Sequence, residues 1–129
     1  MDRLILDTGL LVAAVRGRST VPANADITIP AVAIAEYLAG VHLDPDAGRQ
    51  AAQKAFLTEV LGVIPVSDYD TTVAEHHAQL LAETARTGRP RGPHDLIIAA
   101  TARATGRTLL ITDKRARFDE LTGVTARLA

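Results

Sequence analysis

The chain contains no cysteine, and aromatic residues make up only 3% of its 129 positions. Without thiols there is neither a disulfide framework nor a thiolate metal site. So few aromatic rings argue against nucleic-acid recognition on a base-stacking platform. No apolar run approaches the length of a membrane span. The run Leu10 to Val15 has the apolar character of a signal-peptide core, but Asp2 and Asp7 precede it without a basic leader, so it reads as mature structure. A cytoplasmic protein is expected. Neither sign of charge dominates, since the formal net charge is -1. That balance excludes nothing: a cluster of acids spent on a metal ion leaves the remaining surface basic overall.

Hydrophobic residues form 47% of the chain and charged residues 22%, the composition of an ordinary folded domain, and the length fits a single core over residues 1–129. Two short, continuous apolar runs, Leu4–Leu6 and Thr108–Ile111, have the pattern of strands buried on both faces. Ile27–Ile29, Val63–Val66 and Gly123–Ala126 are further strand candidates; Pro65 suits an edge or a strand end. Helical patterns fill the intervals: Leu10 to about Arg16, Ala31–Val41 with Pro30 in a first turn, Ala47–Leu61, Asp70–Arg86 stopped by Gly88, and Pro93–Arg103 ended by Gly106. Gly17–Asp26 and Thr87–Gly92 read as loops. Strands alternating with helices predict an α/β domain with a mostly parallel sheet flanked by helices.

Four carboxylates stand out against this framework. Asp7 directly follows the first apolar strand, and Asp113 follows the last after Thr112. Parallel strands bring both to one edge of the sheet, where open α/β folds bind ligands. Asp7 also suits a helix cap. Glu36 lies mid-helix, and its same-face neighbours Val32, Ala33, Ala39 and Gly40 offer no ion pair. A carboxylate in such company is costly to bury unless paired or bound to a metal. Asp95 falls in the first turn of the helix opened by Pro93, where the helix N-terminus favours its ionised form. Hard oxygen ligands of this kind suit Mg²⁺ or Mn²⁺, and acidic clusters at a sheet edge serve phosphoryl chemistry. The expected site is Asp7 and Asp95 holding a metal ion, with Glu36 and Asp113 holding a second ion or ordering water. Thr8 and Thr112 support these ligands by hydrogen bonds.

The motifs Leu6-Asp7-Thr8, Ala35-Glu36-Tyr37-Leu38-Ala39-Gly40, Pro93-His94-Asp95-Leu96-Ile97-Ile98-Ala99-Ala100 and Leu109-Leu110-Ile111-Thr112-Asp113 occur in this order across nearly the whole chain. In order and spacing they resemble the PIN-domain nucleases, above all their VapC toxin branch. The resemblance implies a single PIN-like domain, with Asp7, Glu36, Asp95 and Asp113 in the places of the family's acids. It also implies metal-dependent hydrolysis of RNA that leaves a 5′-phosphate, a homodimer, and a cognate antitoxin protein. Two departures are visible. Gly9 stands where the family more often has Ser or Asn, and Ile111 stands where a Thr commonly precedes the fourth acid by two residues.

Arg86, Arg89 and Arg91 lie just ahead of Asp95, as either a phosphate-gripping run or a solvated basic loop. Arg16 and Arg18 in the first loop carry the same pair of readings. His76 and His77 are adjacent in a helix and so point apart, as surface histidines do. His94 neighbours Asp95 as an orienting or substrate-contacting group, and Phe118 reads as a core anchor of a final helix. Two functions compete with a nuclease toxin: an inactive PIN-like binding module and a housekeeping RNA-processing nuclease. A phosphatase with a strand-end nucleophile needs a second Asp at position 9, where Gly stands.

Overall fold

The computed structural model describes residues 1–15, 22 and 24–129. Arg16, Arg18 and most of the loop expected at 17–26 lie outside the described residues. Five strands, β1 (Arg3–Leu6), β2 (Asp26–Pro30), β3 (Val66–Ser67), β4 (Thr108–Ile111) and β5 (Ala126–Leu128), form one sheet in the order β3-β2-β1-β4-β5. Every pairing is parallel. Five helices connect and cover them: α1 (Thr8–Val15), α2 (Ala31–Leu43), α3 (Ala47–Leu61), α4 (Thr71–Thr87) and α5 (Pro93–Thr105).

The apolar strands read as buried on both faces because they are. Successive side chains alternate across a strand. Leu4, Leu6 and Leu110 therefore join Leu10, Leu11, Ala33, Tyr37 and Val41 on the side of α1 and α2. Ile5, Leu109 and Ile111 pack on the other side with Leu80, Leu96, Ile98 and Ala99 of α4 and α5. Local chemistry sets the helix ends. Asp46 accepts from the Arg49 amide at 2.8 Å and Asp70 from the Val73 amide at 2.9 Å, capping α3 and α4. Gly88 and Gly106 end α4 and α5 in the left-handed conformation, at φ 64° and 65°.

Several expectations shift in detail. Pro30 closes β2 and precedes α2, with ψ 140°, instead of occupying the helix's first turn. The third strand shrinks to Val66–Ser67, because Val63 lies exposed in the turn that ends α3 and Pro65 can only accept, taking the Ile29 amide at 3.0 Å. The last strand starts at Ala126, not Gly123: Gly123 turns the chain at φ 75° and Val124 fills the core from the loop. Phe118 is buried, but in a 3-10 turn (Phe118–Glu120) where a final helix was expected. His76 and His77 are half-buried, the first accepting from Arg103 Nε and the second bonded to the Tyr69 hydroxyl.

The chain builds β1, β2 and β3 outward in one direction, then returns to place β4 and β5 on the other side of β1. The topological switch therefore falls between β1 and β4, and a ligand crevice is expected beyond their carboxyl ends. Among the described residues no helix is long and apolar enough to cross a membrane.

Candidate active site

At that switch point the register of β1 against β4 pairs Leu6 with Leu110, and the Asp7 amide donates to the Leu110 carbonyl at 3.1 Å. Asp7 is thereby fixed at the end of the central strand. Its Oδ1 accepts the Leu10 amide at 2.8 Å, so it caps α1 as well. One carboxyl oxygen is spent on structure and the other stays available. Burial pushes the Asp7 carboxyl up to about 6; the Leu10 amide opposes this, and the negative charges of Asp113, Asp95 and Glu36 add to it. Three acids drawn from three other segments thus bear on this one carboxylate.

Each of the other three has its own setting. The Thr8 hydroxyl donates to Glu36 Oε1 at 2.6 Å, and His94 Nδ1 stands 3.3 Å from Glu36 Oε2. The carboxylate that found no partner on its own helix finds two from neighbouring elements. Asp95 sits in the first turn of α5 as expected, yet its carboxyl is raised, not lowered. Burial is the largest cause and the negative charge of Glu36 the next, and together they outweigh the helix N-terminus and the lowering influence of His94. Asp113 is open to solvent and clamped: Oδ1 accepts the Arg115 amide at 2.9 Å, and Oδ2 takes the Arg115 guanidinium at 2.8 and 3.1 Å. These bonds hold its carboxyl below the usual range. It faces the cluster from the rim.

Thr112 lies against Gly9. A Cβ at residue 9 would fall 2.9 Å from the Thr112 hydroxyl and 3.6 Å from Asp7 Oδ1, so glycine here leaves room for both side chains beside the site. Of the two threonines only Thr8 makes a hydrogen bond to an acid among the described residues. The three arginines separate. Arg86 and Arg89 are exposed, whereas the Arg91 side chain is 4% exposed and holds Glu120 Oε1 at 3.0 Å and the carbonyls of Arg89 and Pro90. Arg91 is thus a brace and does not reach out to a ligand. Sequence reasoning missed the Arg115 clamp and the role of Glu120; the dense run of basic residues from Lys114 to Arg117, directly after an acid, was the available signal.

Among the described residues no three acidic or histidine side chains stand close enough to share one ion as placed. The donor set nonetheless fits a hard divalent cation: all donors are carboxylate oxygens, and a buried carboxyl crowded by like charges gains from a positive partner.

Residues 4–123 match the sequence pattern of the PIN domain. The chain belongs to the PIN-domain family. This PIN-domain protein is 43% identical over 61 residues to the tRNA(fMet)-specific endonuclease VapC of Shigella flexneri, and 39% identical over 61 residues to that of Salmonella typhimurium. Each of these matches covers 47% of the chain and 46% of the relative, so the chain matches about half the length of these curated relatives. In fold it is similar to a chain of DNA-bound VapBC from Salmonella typhimurium, with a TM-score of 0.85 at 24% identity over 99% of this chain and 98% of the other. A chain of VapBC2 from Rickettsia felis, bound to a fragment of promoter DNA, superposes with a TM-score of 0.83 at 20% identity, covering 98% of each. The parallel α/β sheet expected from the sequence is the PIN fold.

Proposed function

We propose that this PIN-domain protein is a divalent-metal-dependent endoribonuclease that acts as the toxin of a VapBC-type toxin–antitoxin pair in the cytoplasm. The observation that carries this reading is the crowding of Asp7 by three further acids at the switch point of the sheet. Asp7 and Asp95 would hold Mg²⁺ or Mn²⁺, with Glu36 completing the site and Asp113 contributing from the rim. Such an ion, when bound, activates water for attack and draws charge from the phosphodiester. The chain's own residues prepare for it. The Leu10 amide fixes one oxygen of Asp7, and Thr8 orients Glu36. The glycine at position 9 keeps the approach to Asp7 open.

The endonuclease names of the curated relatives support RNA as the substrate, and make the initiator tRNA the first one to try. The toxin–antitoxin complexes among the structural neighbours support a small antitoxin as partner, and a homodimer is part of the same reading. The test is incubation of the purified protein with single-stranded RNA, tRNA and a phosphomonoester in Mg²⁺ or Mn²⁺. RNA cut to 5′-phosphate ends, with EDTA abolishing the cut and the monoester untouched, is the expected result. Hydrolysis of the monoester alone would replace the nuclease by a phosphatase. In cells, growth arrest on induction, relieved by a cognate antitoxin, is the outcome expected of a toxin.

A further inference from the structure

Close along the chain to Asp95 and Asp113 stands a second constellation, of opposite sign. Glu120, in the 3-10 turn after β4, gathers three guanidinium groups. Arg91 binds its Oε1 at 3.0 Å, while Arg89 and Arg117 each approach the same oxygen at 3.9 Å. Only Arg91, its side chain 4% exposed, is committed to that carboxylate by a hydrogen bond. Arg89 and Arg117 are 65% and 51% exposed, and among the described residues neither side chain makes a hydrogen bond. Both guanidiniums are open to solvent, and because their Nη1 atoms each stand 3.9 Å from one oxygen, those atoms lie within twice that distance of each other. One carboxylate against three guanidiniums leaves the cluster with a net positive charge. Arg117 also holds φ 53°, ψ 45°, the one non-glycine residue at positive φ among those described. A left-handed arginine is uncommon, and such backbone outliers cluster at binding and catalytic sites.

The placement relative to the acids is set by the chain itself. Arg91 precedes Asp95 by four residues and Arg117 follows Asp113 by four, so the Cα of each lies within roughly 14 Å of the Cα of a site acid. Glu120 thus joins two segments distant in sequence, 89–91 and 117–120, each of which adjoins a site acid along the chain.

We propose that Arg89 and Arg117, aligned by Glu120 and the buried Arg91, form a binding site for one backbone phosphate of a single-stranded RNA, next to the acidic centre. The proposal rests on reading that centre as a ribonuclease. Planar guanidiniums with free donors are the groups that bind phosphate oxygens in pairs. Such a contact holds the strand without reading its sequence, and leaves a neighbouring phosphodiester to the acids.

The test compares the wild type with Arg89→Gln, Arg117→Gly and the double variant, using a labelled single-stranded RNA of mixed sequence. Binding is measured in EDTA across a salt series, and cleavage with Mg²⁺ or Mn²⁺ present. Arg117→Gly also relieves the left-handed backbone, so its thermal stability is expected to be equal or higher; a purely structural arginine would lose stability instead. The double variant should bind RNA about 10-fold more weakly, and the slope of log K against log salt should fall by about 0.7, the value for one phosphate contact on a single strand. KM should rise by a similar factor with kcat changed far less. Cleaving wild type with an unchanged slope and KM in the double variant overturns the phosphate site while the ribonuclease reading stands. Weakened RNA binding in the double variant of a protein that cuts no RNA upholds the phosphate site and removes the ribonuclease reading. A cluster that serves an acidic peptide instead would leave RNA affinity and salt slope untouched, and that result also overturns the proposal.

Discussion

Thr8 donates its hydroxyl proton to Glu36 Oε1 across 2.6 Å, joining the first residue of α1 to the second turn of α2. The two residues are 28 positions apart, and β2 lies between their helices in the sequence. The bond explains how a glutamate with no basic neighbour on its own helix is held at the site. Thr8→Val keeps the shape and removes the donor. It is expected to lower RNA cleavage about 10- to 100-fold, as loss of a group that orients a ligand does. Thr8→Ser should restore most of the activity, and thermal melting should change little in either variant. Full activity in Thr8→Val would remove Thr8 from the site.

At Asp7 stability and the proposed function pull in opposite directions. Its carboxyl ordinarily loses a proton at 3.8 and here holds it to about 6. The folded protein therefore binds this proton more tightly than the unfolded chain does. Stability from this group is greatest in acid and is lost as pH rises from 3.8 through about 6. Asp7→Asn keeps an oxygen to cap the Leu10 amide and removes the charge. In EDTA near neutral pH the variant should be more stable than wild type by about 1–2 kcal/mol, a figure reduced for the solvent that still reaches the group. The gap should close below about pH 4, while RNA cleavage falls at least about 1,000-fold. Denaturant titrations at both pH values measure the difference, and a destabilised Asp7→Asn at neutral pH would contradict the account.

Asp113 and Asp95 should not be equal. Asp113 is exposed and held by Arg115, whereas Asp95 is partly buried and crowded by Glu36. Asp95→Asn is expected to remove cleavage almost wholly, and Asp113→Asn to reduce it about 10- to 100-fold. Arg115→Ala frees Asp113 and should tighten binding of Mn²⁺. Equal losses in the two acid variants would move Asp113 from the rim to the centre.

Much of this arrangement is legible in the sequence, and the remainder is not for identifiable reasons. Leu4–Leu6 and Thr108–Ile111 announce themselves because a strand buried on both faces needs an unbroken apolar run, and the acids that follow must share an edge if the strands are parallel. Gly88 and Gly106 mark helix ends because only a left-handed residue closes them there. Gly123–Ala126 misleads because Val124 is apolar for the core and not for a strand. The direction of the Asp95 shift could not be read from helix position alone, since burial and Glu36 are tertiary facts. The same holds for Arg91, whose basic run reads as an open phosphate grip until Glu120, 29 residues away, is seen to claim it.

The central claim is that the acids at the switch point gather a divalent cation, and calorimetric titration of the intact protein with Mn²⁺ and Mg²⁺ tests it most directly. The account predicts saturable binding near neutral pH that weakens clearly by about pH 5, where Asp7 keeps its proton and must release it for the metal. Asp7→Asn and Asp95→Asn, folded by circular dichroism, should each lose that binding. Binding of unchanged affinity in the Asp7→Asn/Asp95→Asn double variant, or with no dependence on pH, would contradict it.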